Sequence, residues 1–139
     1  MPITFHPYIG AVLMCDFNTG FKEPEMVKCR PVVVLSHNKR QALCTVVPLS
    51  TTEPTVIEAC HHEMSPESLP ILMADERTWA KCDMITTVGF WRLERVRDGK
   101  NKATGARIYS KKSVTGHDLR KIHECVLHVL ELKHLQWPQ

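Results

Sequence analysis

A mainly β fold with a C-terminal amphipathic helix is what this sequence predicts, as a small barrel or a highly curved sheet. Three observations carry that expectation. Short apolar segments separated by turn chemistry fill the first two thirds of the chain; one of them, Val32 to Leu35, is apolar without alternation; and after Thr115 the apolar period becomes helical. With 139 residues, 43% hydrophobic and 24% charged, the chain reads as one domain spanning 1–139. A domain of this size buries about 70% of its unfolded-state surface and needs no disulfide staples.

Taken in order, residues 10–17 (GAVLMCDF) form the first expected strand, and the loop NTGFKEPEMVKC follows, where Gly20 and Pro24 disfavour regular pairing. Residues 30–36 (RPVVVLS) and 42–49 (ALCTVVPL) form a hairpin across the polar connection HNKRQ. The unalternating run Val32 to Leu35 needs cover on both faces, one from the barrel interior and the other from a helix or a second chain. That second option predicts a homodimer. Further strands are expected at 55–60, 79–88 and 106–110, with an irregular, proline-containing acidic loop at about 61–77 that resembles an insertion. Leu119, Ile122, Val126, Val129 and Lys133 recur at helical spacing, Leu130 widens the stripe, and Thr115 with Asp118 has the form of a capping box. A helix over 115–133 that seals one side of the sheet follows.

Composition points to a reducing compartment. The six cysteines, at 15, 29, 44, 60, 82 and 125, are scattered through apolar segments, the amino terminus has no basic leader region, and no apolar run approaches the roughly 18 residues of a membrane span. The expected location is cytoplasmic, with no membrane contact. Charge is unevenly spread: residues 92–112 hold eight Lys/Arg against Glu94 and Asp98, whereas residues 53–76 hold six acids and neither Lys nor Arg. This fits a solvated turn and loop, and equally a polarity that steers a polyanion to one side.

Arg30 opens the most apolar strand from a polar loop, and a hairpin centred between Ser36 and Ala42 sets it opposite Pro48 to Ser50. Pro48 lacks a donor and is expected to end or bulge its strand, which leaves Ser50, Thr51 and Thr52 on the rim. Read alone, these residues also fit an arginine satisfying strand-end carbonyls beside a hydroxyl-rich turn. Glu25, on the preceding loop, could reach back to Arg30, and Lys28 shares the face of Arg30 if the strand begins early. For metal, Cys60, His61 and His62 offer ligands, and Cys125 with His128 has i, i+3 helical spacing, but neither group belongs to a four-ligand pattern. No metal or cofactor is expected.

The runs RPVVVLS at 30–36, CTVVPLSTTEP at 44–54 and KCDMITTVGFWRLERV at 81–96, with GAVLMCDF ahead of a Glu-containing loop, resemble the PemK/MazF family of toxin–antitoxin ribonucleases (mRNA interferases) over nearly the whole chain. The resemblance implies an SH3-like β-barrel of the PemK/MazF/CcdB type, dimeric, held silent by a cognate antitoxin, and cutting single-stranded RNA without metal. It places the family arginine on Arg30 and the hydroxyl residue after the third strand on Ser50, where many members have threonine. The family's acidic loop residue falls on Glu25, and Asp83, in KCDM, falls on a position of structural type. Catalysis is then expected of Arg30, Ser50 and Glu25, and RNA contact of Lys28, His37, Thr51, Lys111 and Lys112. Two alternatives stand beside the nuclease. One is a non-catalytic binder of the same fold, either a CcdB-like topoisomerase poison or an RNA-binding module; the other is a structural domain without a ligand.

Overall fold

The computed structural model describes residues 2–38, 40–132 and 134. Its strands are β1 (Val12–Asp16), β2 (Cys29–Asn38), β3 (Leu43–Ser50), β4 (His61–Glu63), β5 (Trp79–Lys81), β6 (Thr86–Gly89), β7 (Leu93–Arg95), β8 (Arg97–Lys100) and β9 (Arg107–Tyr109), followed by helix α1 (Gly116–Val129). Seven of the strands form one antiparallel sheet in the order β4-β5-β3-β2-β1-β7, with β6 also paired to β3; β8 and β9 form a separate ribbon. The fold class is that of the sequence expectation, mainly β with one C-terminal helix. Closure is not: the hydrogen-bonded ladders leave β4 and β7 as edges, so the sheet does not complete a barrel.

The apolar run in β2 is explained by two cores, one on each face. Val32 and Val34 point into a cluster with Cys15, Phe17, Cys44, Val46 and Leu93, while Val33 points the other way, into a cluster with Val12, Val47, Leu49 and Ile122 of α1. The helix therefore supplies the second cover. A partner chain is not needed for it, and the argument from this strand to a homodimer falls away.

Pro48 does not end β3. The strand continues through Leu49 and Ser50, but it changes partner there: residues 43–46 pair with β6, and Leu49 and Ser50 pair with Ala80 and Trp79 of β5. A residue without an N–H thus sits where β3 has no neighbour on that side. The same partner change breaks the single strand expected at 79–88, where a 3-10 turn over Cys82–Met84 separates β5 from β6. The segment 55–60 is not a strand; pairing begins at His61, inside the stretch read as loop, because His61 to Glu63 find β5 as an edge partner.

Helix α1 begins as its cap signal predicts, with the Thr115 hydroxyl accepting from the Asp118 N–H at 3.1 Å. The Asp118 carboxylate does not close the box. It is fully buried and accepts from His62 Nε2 (2.8 Å), from the Ser65 N–H (3.0 Å) and hydroxyl (3.2 Å), and from the Ser68 hydroxyl, so it staples the helix to the acidic insertion. Leu119, Ile122, Val126 and Val129 pack on the second core, whereas Leu130 is an exposed C-cap; Lys133 lies outside the described residues. Among the described residues no helix is long and apolar enough to cross a membrane.

Candidate active site

The β2–β3 ladder pairs Val34 with Val46, Val33 with Val47 and Val32 with Pro48. The ladder ends at that last pair; continued for two more residues, its register sets Arg30 opposite Ser50. Ser50 is in turn paired with Trp79 of β5, Trp79 with Glu63 of β4, and on the other side Arg30 is paired with Cys15 of β1. Opposed residues of antiparallel strands share a face, so Cys15, Arg30, Ser50, Trp79 and Glu63 form one row across five strands, on the face of Val32 and Val34.

Two donors in this row lack acceptors. Arg30 is half-buried and its Nε is shielded from solvent, as is the indole Nε1 of Trp79, and neither finds a hydrogen-bond acceptor among the described residues. Between them Ser50, 8% exposed, accepts from the Thr52 N–H at 3.1 Å, which leaves its own hydroxyl proton to donate. A buried donor left unmade costs about 1 to 3 kcal/mol, and more when charged, so a ligand that supplies acceptor oxygens recovers that penalty. Cys15 adds no charge to the row: burial, against the pull of Arg92, pushes its thiol up to about 12. Trp79 is the participant that sequence reasoning missed. Its strand was legible, but its position beside Ser50 depends on β5 taking over from β6.

The other expected residues are placed as follows. Glu25 is exposed on the β1–β2 loop, where its carboxylate accepts from the Lys22 N–H at 3.1 Å, and it makes no ion pair with Arg30. It lines a groove of about 360 Å³ together with Phe17, Phe21 and Met26 and, across the groove, residues 83–86. Arg92 holds this loop in place: it donates to the carbonyls of Asp16 (3.0 Å) and Thr19 (2.7 Å) and stacks on Phe21 and Trp91. Lys28 is exposed, has φ of 72° and precedes β2, so strand alternation does not carry it to the face of Arg30. Thr51 is exposed in the turn after β3.

His37 lies at the far end of β2, paired with Cys44, roughly 20 Å from Arg30 at about 3.3 Å per residue. Lys111 and Lys112 are exposed after β9, and the Lys112 ammonium donates to the Glu67 carbonyl at 3.3 Å, beside the start of α1. The fold therefore joins Arg30, Ser50 and Trp79 in one row and leaves His37, Lys111 and Lys112 outside it. Of the ligand-type side chains, His62 is committed to Asp118 and Cys125 packs against the second core, while Cys60, His61 and Asp83 converge elsewhere.

Residues 9–129 match the family model of the PemK-like, MazF-like toxins of type II toxin–antitoxin systems. The chain belongs to that family. A relative in Escherichia coli (strain K12), YifN, is 33% identical over 116 residues, covering 70% of this chain and 78% of the relative. Among solved structures, MazF from Deinococcus radiodurans superimposes with a TM-score of 0.67 at 14% identity, over 91% of this chain and 98% of that one. An endoribonuclease from a mycobacterial species gives 0.59 at 24% identity over 95% of both chains, and one in complex with its cognate antitoxin gives 0.57 at 23% identity over 96% and 100%. At these identities the likeness establishes the fold. In this PemK/MazF-family chain, the row at Arg30 lies where the segments RPVVVLS and CTVVPLS meet.

Proposed function

We propose that this PemK/MazF-family toxin is a sequence-selective endoribonuclease that cleaves single-stranded RNA without a metal. The observation that carries the reading is the pair of unaccepted donors, Arg30 Nε and Trp79 Nε1, on either side of the Ser50 hydroxyl. A ribose 2′-oxygen attacks the adjacent phosphorus, a base removes its proton, the bond to the 5′-oxygen breaks, and that oxygen is protonated, giving a 2′,3′-cyclic phosphate and a 5′-hydroxyl. The phosphorane between these steps carries extra negative charge on its non-bridging oxygens. Fixed donors aimed at that charge are the means by which a protein without a metal accelerates the step.

Arg30 supplies charge and a planar fork, Ser50 a neutral donor, and Trp79 a second neutral donor. Glu25, across the groove from residues 83–86, is the candidate base. Lys28, His37, Thr51, Lys111 and Lys112 are the candidates for contacts along the RNA. The cognate antitoxin and a second copy of the chain are the proposed protein partners; light scattering at micromolar concentration that finds only a 15.9 kDa species would remove the second. Unaccepted donors suit a phosphate-binding module as well as a nuclease; a charged fork beside a hydroxyl, the combination that stabilises a phosphorane, favours the nuclease.

Purified protein incubated with a long single-stranded RNA should make internal cuts at a recurring short motif, each leaving a 2′,3′-cyclic phosphate. The rate should be the same with and without EDTA. Folded protein that leaves the RNA intact, or cutting that stops in EDTA and returns with magnesium or zinc, would overturn the proposal.

A further inference from the structure

We propose that Cys60, His61 and Asp83 form a zinc-binding site, separate from the row at Arg30. One ligand atom from each, the Cys60 sulfur, a His61 ring nitrogen and an Asp83 carboxylate oxygen, all lie within 4.8 Å of one another. Tetrahedral zinc, with bonds of about 2.0 to 2.3 Å, holds such ligands roughly 3.5 Å apart, so a contraction of little more than about 1 Å closes the set. A thiolate, an imidazole and a carboxylate together suit zinc, and the sulfur disfavours magnesium and calcium.

The backbone already fixes these positions. The Cys82 N–H donates to the Cys60 carbonyl at 3.1 Å, which locks the 3-10 turn carrying Asp83 against Cys60, and the His61 N–H donates to the Glu58 carbonyl at 3.0 Å. His61 Nδ1 accepts from the Glu58 N–H at 3.0 Å, which orients the ring. Cys60 and Asp83 also line a cavity of about 530 Å³, from which water can complete the shell. Glu58, Asp83, His128 and Glu131 line it, with neither Lys nor Arg; Lys81, the cross-strand partner of His61, is not part of the lining. Three carboxylates around an open cavity with a thiol at its wall form a site whose charge a divalent cation balances.

Cys60 and His61 gave no four-ligand pattern in the sequence because Asp83 joins them only through the β4–β5 pairing and the turn that follows. Residues 83–86 also line the groove opposite Glu25. Zinc at Asp83 would tie that wall to the Glu58–His61 turn, and it takes no part in the cleavage step.

The test uses the full chain, stripped of metal by chelator and dialysed, then titrated with zinc alone by calorimetry and with cobalt by absorption. One zinc per chain and a thiolate-to-cobalt charge-transfer band are expected. Cys60→Ser and Asp83→Asn should each weaken zinc by at least the ten- to hundredfold seen when a supporting partner of a metal site is lost. Cys29→Ser, at an exposed thiol on β2, should leave the affinity unchanged. No stoichiometric zinc, affinity that survives both Cys60→Ser and Asp83→Asn, or affinity lost with Cys29→Ser would each overturn the site. Asp83 is exposed, so its variant is informative even if Cys60→Ser, at a buried position, fails to fold.

Discussion

Arg30→Ala should reduce RNA cleavage at least about a hundredfold, the scale on which removing one donor aimed at a developing oxyanion acts. It should do so without unfolding the protein, because the Arg30 Nε has no acceptor among the described residues and its removal strands no partner there. Urea unfolding of Arg30→Ala is therefore expected at a midpoint equal to or above that of the wild type, since an unaccepted buried donor is a cost the folded state carries. Arg30→Lys should rescue little, as lysine keeps the charge but loses the fork that grips two phosphate oxygens at once. Ser50→Ala should be severely impaired, and Ser50→Thr should stay active because the hydroxyl is kept and the added methyl narrows its rotamers. Trp79→Phe removes the Nε1 donor together with part of a buried ring system; in protein that remains folded it should lower turnover more than RNA affinity. Each variant should still bind RNA and share the assembly state of the wild type. Wild-type cleavage rates in folded, RNA-binding Arg30→Ala and Ser50→Ala would place the chemistry elsewhere.

The largest loss of stability is expected from Asp118→Ala. Its carboxylate is fully buried and collects hydrogen bonds from His62, Ser65 and Ser68, so truncation leaves the hydroxyl of Ser68, the amide of Ser65 and the ring of His62 without their acceptor. Breaking such a buried charged network costs about 3 to 5 kcal/mol, a large share of what a domain of this size possesses. Asp118→Asn restores the volume but turns an amide N–H₂ toward donors, so it should recover only part of the loss. The same site contributes acid sensitivity. Burial alone would raise the Asp118 pKa, but hydrogen bonds from Ser68, His62 and Ser65 outweigh it and hold the carboxyl below the usual range. A carboxylate with a depressed folded-state pKa stabilises the fold above its unfolded pKa, and that contribution is lost as pH falls through the folded value. Urea midpoints measured from neutral pH down through the carboxylate range should fall for the wild type and fall less steeply for Asp118→Asn. Parallel slopes for the two proteins would show that Asp118 does not carry this dependence.

The sequence by itself determined what a short connection can propagate. A short hairpin narrows its own register, so the spacing of two apolar runs around HNKRQ limited the residues opposite Arg30 to Pro48 through Ser50; the turn-side pairing of His37 with Cys44 would by itself carry Arg30 to Thr51, and the bulge between Val34 and Ser36 shifts the register by one residue, toward Ser50. The start of α1 followed from Thr115 for the same reason: a cap acts on the next three residues and on nothing further away. Tertiary structure alone decided the rest. Whether the strand over 79–88 is one or two, and hence whether Trp79 flanks Ser50, depends on β3 changing partners at Pro48, a competition between segments about thirty residues apart. The same holds for Asp118, which sequence assigned to a capping box and the fold gave to the insertion, and for Asp83, which reaches Cys60 only across β4 and β5. Local spacing fixes hydrogen-bond partners within one turn or hairpin. Which distant element covers a given face is settled by packing both apolar faces of β2 at once, and that is a property of the whole chain.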